Sequence, residues 1–320
     1  MGNRTTVSTF VLRGFSSLPD LQDLLFVLVF FSHVTILAAN VSVMVAIKLS
    51  HNLHTPMYFF LSGLSFSETC TTMVTLPRML VDLLSDSKTI SLPECATQMF
   101  FFFGLGGNNC FIMAAMSYDR YTAIHSPLHY PILMTHRICL QLMMASSVTG
   151  IVVSFCIVLI VFNLSFCDAS TIQHFFCDIA PVVSLACDYT FFQKTILLAF
   201  TAFVLVGSFI LIMISYVFIV STVVKMPSAK TCSSQLTVVC IHYGFAGFVY
   251  LRPKDSDSFS EDMLMAVTYT VLTPLLNPIV YSLRNKEMQI ALRKVLDNVC
   301  RFFSQMAVRR SRHCEITLSN

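Results

Sequence analysis

The sequence contains no Trp and few charged residues. Only 12% of its 320 residues are Asp, Glu, Lys or Arg, whereas 55% are hydrophobic and 29 are Phe. A soluble domain of this composition could not cover its surface with polar side chains, so the composition excludes an ordinary soluble protein. The net charge of +3 gives no reason to expect a nucleic-acid partner. The chain is therefore expected to be a membrane protein.

The patterns that mark common enzymes are also absent. The sequence has no His-Glu-x-x-His zinc motif, no nucleophile elbow and no phosphate-binding glycine loop. We therefore predict neither enzymatic activity nor a cofactor or metal. A transporter or channel is an alternative, because these proteins are also bundles of apolar helices. Transporters tend to show internal repeats and ionisable residues near the midplane, whereas this chain offers only Glu68 and no repeat.

Seven apolar segments approach or exceed the roughly 20 residues that a helix needs to cross a bilayer. They cover about residues 24–48, 57–80, 95–124, 139–162, 195–224, 232–251 and 263–283. Helices are expected because lipid offers no hydrogen-bond partner for open backbone groups. The predicted fold class is an all-α membrane protein, a seven-transmembrane helix bundle with a short cytoplasmic helix after the seventh span.

The distribution of charge predicts how the chain lies in the membrane. We expect an extracellular N-terminal tail at 1–23, the bundle at 24–283, and a cytoplasmic C-terminal helix and tail at 284–320. With the C-terminus inside, most Lys and Arg residues fall on the cytoplasmic side, as the positive-inside rule requires. No basic region precedes the first span, which predicts an uncleaved anchor. Asn3 begins an Asn-Arg-Thr sequon on the external tail, so it is a predicted glycosylation site.

Four of the 12 cysteines fall where this topology predicts extracellular loops or helix ends. They are Cys95, Cys167, Cys177 and Cys187. That compartment is oxidising, so disulfide bonds persist there. A free buried thiol is the alternative for Cys167 or Cys187. The other cysteines lie in predicted helices or on the cytoplasmic side and are expected to stay reduced.

Asp119, Arg120 and Tyr121 lie at the end of the third apolar segment. An adjacent acid and base at the foot of a membrane helix suits an activation switch, in which Arg120 pairs with Asp119 at rest and is released when the bundle opens. The alternative is a helix-end ion pair that reaches the lipid headgroups.

A second motif, Asn277-Pro278-Ile-Val-Tyr281, ends the seventh segment. Pro278 removes a helix hydrogen bond, so the helix can kink there, and Asn277 can supply a partner for the freed carbonyl groups. Tyr281 is placed to swing inward on activation and to bridge through water to Tyr216 of the fifth segment. The alternative is a simple proline kink with a packed Tyr.

Together with the entry to the second segment, these motifs resemble the rhodopsin-like G protein-coupled receptors, and most closely the class II (tetrapod-type) olfactory receptors. The matching stretches are Leu-His-Thr-Pro-Met-Tyr-Phe-Phe-Leu-Ser at 53–62, Met-Ser-Tyr-Asp-Arg-Tyr at 116–121, Pro-Leu-His-Tyr at 127–130, Ser-Tyr at 215–216, Pro-Leu-Leu-Asn-Pro at 274–278 and Tyr-Ser-Leu-Arg-Asn at 281–285. The resemblance covers residue 14 to about residue 299.

The resemblance implies a receptor that binds a small hydrophobic odorant and activates a heterotrimeric G protein of the stimulatory olfactory type, raising cAMP. Two alternatives stay open. One is a chemosensory receptor for a non-volatile ligand outside the nose. The other is a receptor with impaired coupling, because the third inner loop around 225–232 lacks part of a basic stretch that is usual in the family. This would shorten the cytoplasmic end of the sixth helix by up to about two turns.

The resemblance also implies two disulfide bonds, Cys95 with Cys177 and Cys167 with Cys187, which would hold a lid over the ligand pocket. It places the pocket in the outer halves of the third, fifth, sixth and seventh helices. The implied pocket residues are Phe102, Phe103, Gly106, Gly107, Phe200, Thr201, Val204, Tyr243, Ala246, Tyr250, Tyr269 and Thr270. These side chains are mostly apolar or aromatic with hydroxyl groups, which favours a neutral ligand with at most one hydrogen-bonding group. The glycines have an alternative role in close helix packing.

A buried polar group is expected at Glu68, which lies mid-membrane where an uncompensated charge is expensive. The resemblance makes Glu68 the counterpart of an acid near a sodium site. Asn109 stands where the family often has Glu, so a single carboxyl group remains beside Asn40 and Asn277. A protonated, hydrogen-bonded Glu68 is an equal alternative, and no metal is predicted.

Overall fold

The computed structural model describes residues 8–15, 21–85, 87–166, 170–223, 233–251, 259–283, 285–298 and 300–301. Its long helices are α1 (Gln22–Leu49), α2 (Pro56–Leu84), α3 (Leu92–His125), α4 (His136–Phe162), α5, α6 (Ser233–Leu251) and α7 (Phe259–Leu283). Helix α5 comprises Phe191–Ala202, a π-helical turn at Phe203–Gly207 and Ser208–Val223. An eighth helix, α8, follows at 286–298. The predicted all-α seven-helix bundle is confirmed.

The helices differ in length and hydropathy, and so in whether each meets the criteria for a membrane span. Five described helices are long and apolar enough to cross a membrane: Gln22–Leu49, Leu92–His125, His136–Phe162, Phe191–Thr222 and Met263–Val280. Leu236–Leu251 of α6 is a shorter apolar helix. Helix α2 is less apolar because it carries Glu68, Arg78 and Asp82, and it packs against α1 and α3 inside the bundle.

Local sequence signals explain where helices α3 and α5 begin. The Ser91 hydroxyl accepts a hydrogen bond from the Glu94 amide at 3.4 Å, and the Glu94 carboxylate accepts one from the Ser91 amide at 2.9 Å. Thr190 and Gln193 form the same reciprocal capping box ahead of α5. Each box satisfies amide groups that have no partner within the helix, which fixes its first turn.

A small sheet closes one end of the bundle, and the sequence did not predict it. Strand β1 (Thr9–Leu12) lies between β2 (Thr89–Ser91), with which it is antiparallel, and β3 (Thr171–Ile172), with which it is parallel. Alternate side chains of β1 point into the protein, so that Phe10 is 0% exposed. We call the sheet together with residues 173–178 the lid. Part of the polar N-terminal tail is thus bound to the bundle.

The Cys95–Cys177 disulfide ties the lid to the start of α3, with the two Cα atoms 5.5 Å apart. The amide of Cys177 also donates to the Gln98 side chain at 3.0 Å. Cys187 is disulfide-bonded as well. Its predicted partner, Cys167, lies outside the described residues, so the Cys167–Cys187 pairing stays a prediction.

Helices α3 and α4 cross at closely packed glycines. A Cβ atom at Gly150 of α4 would overlap the carbonyl oxygen of Gly104 and lie 3.0 Å from the Asn108 amide nitrogen. A Cβ at Gly107 would lie 3.4 Å from the Gly150 Cα, whereas one at Gly106 meets nothing within 4 Å. Gly104 and Gly107 therefore serve close packing, and Gly106 leaves open space.

We predict that Gly150→Ala lowers the amount of folded protein at the cell surface. The added methyl group must displace backbone atoms of α3, and such overpacking costs about 1–3 kcal/mol. Gly247→Ala in α6 is the matched control, because its Cβ would meet nothing within 4 Å. Both substitutions gain helix propensity, so only the contact differs. Flow cytometry of tagged receptor that showed equal surface levels for the two variants would contradict the packing explanation.

Candidate ligand-binding site

A cavity of about 70 Å³ lies inside the bundle, lined mainly by α3, α5, α6 and α7, with further residues from α2 and α4. All of the predicted pocket residues except Tyr243 line it: Phe102, Phe103, Gly106, Gly107, Phe200, Thr201, Val204, Ala246, Tyr250, Tyr269 and Thr270. One buried water needs about 10–15 Å³ on the same measure, so the cavity has space for several groups of that size. This size fits a small molecule and not a peptide.

The end of the cavity next to the lid, which we call the outer end, is aromatic. The rings of Phe103 and Tyr250 meet edge to face with centroids 5.7 Å apart. Phe102 contacts Phe176 of the lid at a centroid distance of 4.6 Å, and Phe176 is 0% exposed. The lid therefore packs directly on residues that line the cavity.

The opposite end of the cavity, which we call the inner end, is lined by residues outside the predicted set. It reaches Glu68 of α2, Asn109 and Cys110 of α3, and His242 of α6. Two of these residues could have been predicted from helical spacing, because residues four positions apart share a helix face. Cys110 lies four residues after Gly106, and His242 lies four residues before Ala246. The Cys110 Sγ atom lies 3.5 Å from His242 Nε2.

Tyr243 does not line the cavity, so its predicted position is corrected. The cavity-lining residues of α6, His242, Ala246 and Tyr250, recur every four positions and share one face. Tyr243 lies about 100° around the helix from His242. Its hydroxyl donates to Ser208 Oγ in α5 at 2.7 Å. Tyr243 therefore connects α6 to α5 next to the cavity.

The π-helical turn of α5 lies at this connection. Val204 and Leu205 of the turn line the cavity, and Ser208 follows directly after it. The Ser208 hydroxyl donates back to the Val204 carbonyl. Turns of this kind are frequent at functional sites. A ligand that contacts Val204 is therefore connected to Tyr243 through two hydrogen bonds of Ser208, one to the Val204 carbonyl and one from the Tyr243 hydroxyl.

Polar side chains hold α1, α2 and α7 together below the cavity. Pro278 cannot donate to the carbonyl of Pro274, and Asn40 of α1 supplies the missing hydrogen bond at 3.0 Å. The sequence had suggested Asn277 for this role. Asn277 instead donates to Glu68, whose side chain is only 1% exposed. The freed carbonyl and one oxygen of the buried carboxyl group thus have partners from different helices.

The predicted resting ion pair between Asp119 and Arg120 is not formed. Asp119 is 2% exposed and accepts a hydrogen bond from the Tyr130 hydroxyl at 2.7 Å, and among the described residues it has no ion pair with Arg120. Tyr130 belongs to the short helix Tyr130–Leu133 between α3 and α4. Burial and the bond to Asp119 raise the pKa of the Tyr130 phenol, so it remains a donor at neutral pH.

Aromatic contacts link the inner ends of α3 and α5. The ring of Tyr121 lies 5.6 Å from that of Phe218 and 5.2 Å from that of His125. Tyr216 of α5 is buried, with 5% of its surface exposed. The Tyr281 side chain lies outside the part of the chain that the structure describes, so its approach to Tyr216 stays a prediction.

Comparison with known proteins points to one family. A family model described as olfactory receptor matches residues 27–299. The chain is 50% identical over 301 residues to olfactory receptor 10T2 of Homo sapiens, covering 92% of this chain and 96% of that relative. It is 48% identical over 301 residues to human olfactory receptor 10R2, covering 92% and 90%. It is 50% identical over 298 residues to human olfactory receptor 10Z1, covering 91% and 95%.

We predict that Tyr130→Phe destabilises the conformation seen here. The substitution leaves the buried Asp119 carboxyl group without its donor, which costs about 1–3 kcal/mol. Tyr118→Phe is the control, because Tyr118 is 39% exposed and shows no hydroxyl hydrogen bond among the described residues. Thermal unfolding of the two purified variants in detergent provides the comparison. Identical midpoints would show that the Tyr130–Asp119 bond contributes nothing.

Proposed function

Because this chain belongs to the olfactory receptor family, we propose that it binds a small hydrophobic odorant in the cavity and activates a stimulatory, olfactory-type G protein that raises cAMP. Family membership makes the chain a multi-pass plasma-membrane receptor with odorant ligands and G protein partners in general, and not an enzyme. The observation that carries the proposal is the cavity beneath the lid, because it collects side chains from six helices, α2 to α7, around one small space.

The lining determines which ligands fit. Phe102, Phe103, Phe200 and Val204 surround the outer part, and no Lys or Arg lines the cavity among the described residues. A neutral apolar molecule loses water and gains contact with these side chains, which is favourable by about 25 cal/mol per Å² of apolar surface. A charged ligand would lose its hydration without gaining a cationic partner there.

The disulfide supports an extracellular N-terminus. Cys95 and Cys177 are bonded at the end of the bundle where β1 lies, and disulfides persist in oxidising compartments. That end therefore faces the outside, and after seven crossings the C-terminus lies in the cytoplasm. Asn3 lies outside the described residues, so its glycosylation stays a prediction.

The opposite end of α3 is the proposed G protein contact. Tyr130 already occupies Asp119, so Arg120 does not have to break an ion pair with Asp119 before it meets a partner. Its planar guanidinium group offers five donors for backbone carbonyls of a docked segment. Residues 224–232 lie outside the described part, so the effect of the short third inner loop on coupling stays a prediction.

The cavity is tested by Gly106→Val. The first carbon of the new side chain meets no atom within 4 Å, so the bundle tolerates it, but the added volume enters the cavity. We expect odorant-stimulated cAMP to fall for the larger members of an odorant panel and to persist for the smallest. Transfected cells matched for surface expression provide the measurement.

Gly244→Val in α6 is the control, since its Cβ also meets nothing within 4 Å and Gly244 does not line the cavity. It should leave the size ranking of ligands unchanged. An unaltered ranking in Gly106→Val would place the odorant elsewhere.

A further inference from the structure

Four residues at the inner end of the cavity carry buried polar atoms without a partner. Among the described residues, Glu68 Oε2, Asn109 Oδ1, His242 Nδ1 and Thr273 Oγ1 form no hydrogen bond. Their side chains are at most 5% exposed, and all four residues line the cavity. Most buried polar groups in proteins are hydrogen-bonded, so four unpartnered atoms around one cavity point to a polar ligand group.

The outer end is different. The corresponding unpartnered atom there is the hydroxyl oxygen of Tyr250, whose ring contacts that of Phe103. Tyr250 and His242 lie eight residues apart on one face of α6, which separates them by about 12 Å along the helix. The cavity is therefore elongated, with an aromatic outer end and a polar inner end.

Most of the unpartnered polar atoms at the inner end need a hydrogen-bond donor as partner. Glu68 already accepts a hydrogen bond from Asn277 at its other oxygen, and the amide oxygen of Asn109 can only accept. His242 Nε2 is occupied by Cys110, which leaves Nδ1 for a further partner. A hydroxyl group donates and accepts, so it can bond to two of these atoms at once, whereas an ether oxygen only accepts.

We propose that the ligand binds with its polar head inward and that this head is a hydroxyl group: the receptor selects small aliphatic alcohols over ethers and carboxylic acids of the same size. The inference rests on the proposed function, since it names the ligand class of the same cavity. The carbon chain of the alcohol lies between Phe103 and Val204, and its oxygen meets Asn109 and His242. A carboxylate is rejected because Glu68 lines the same end and no Lys or Arg does so in the described part of the chain.

The test uses isomers that differ only in the donor. Heptanol and methyl hexyl ether have the same atoms and nearly the same length, and heptanoic acid supplies the anionic comparison. Surface-matched cells expressing the whole receptor are titrated with each, and cAMP is recorded. We expect the alcohol to be at least about tenfold more potent than the ether, because the ether leaves a buried polar group of the protein without a hydrogen bond. We expect the acid to be inactive.

Variants show whether the inner end causes the preference. Asn109→Leu and His242→Phe keep side-chain size and remove the polar atoms, so each should reduce the alcohol-to-ether potency ratio toward one. Tyr250→Phe removes the outer hydroxyl and should leave the ratio unchanged. The alcohol-to-ether potency ratio compares two ligands on one protein, so a general loss of signalling does not change it. Either inner variant that reaches the cell surface therefore tests the proposal.

The outcomes separate the two levels of the proposal. Equal potency of heptanol and its ether, with both active, would overturn the inward hydroxyl while leaving an odorant receptor, and would show that water or a cation satisfies the inner atoms. A ratio that survives both inner variants, or that falls in Tyr250→Phe, would overturn it as well. Failure of the whole odorant panel to raise cAMP would contradict the proposed function itself.

Discussion

The buried carboxyl group of Glu68 constrains the bundle, because a membrane offers no water to solvate it. Asn277 of α7 donates a hydrogen bond to it. Pro278 leaves the Pro274 carbonyl of α7 without its helical donor, and Asn40 of α1 supplies that hydrogen bond. Three helices are thus held in one arrangement by polar contacts that lipid cannot replace. Among the described residues, the second oxygen of Glu68 has no hydrogen-bond partner at the inner end of the cavity, so the group that fixes the bundle also borders the proposed binding site.

The cavity exists because small residues on α3 do two different things. Gly104 and Gly107 let α3 approach α4 at Gly150, which fixes the position of α3. Gly106 has no neighbour within 4 Å of its Cβ position and lines the cavity. The lid then closes the outer end, where the Cys95–Cys177 bond and the Phe102–Phe176 contact hold it on α3. If a ligand binds in this cavity, side chains that are already packed lose little entropy on binding.

Much of this arrangement could be predicted from the sequence, since the spans depend on local hydropathy and the family resemblance implies the cavity residues. The partners of individual polar groups could not be predicted in this way. Asp119 is bonded to Tyr130 from a separate short helix, and the Pro274 carbonyl to Asn40, 234 residues away. Such pairs depend on how helices pack, which a single sequence does not show. Tyr243 was placed in the pocket by the family resemblance. Its hydroxyl contact with Ser208 depends on the rotation of α6 against α5, which the sequence does not show.

We propose that odorants act from within this cavity, and chemical protection of an introduced thiol tests this proposal directly. Gly106→Cys places a reactive thiol in the cavity lining, where a small methanethiosulfonate reagent can modify it, and Gly244→Cys serves as the unprotected comparison. Any odorant that raises cAMP should slow modification at position 106, with half-protection near its half-maximal activating concentration, and leave position 244 unaffected. An odorant that activates the receptor fully without slowing modification at position 106 would contradict the account.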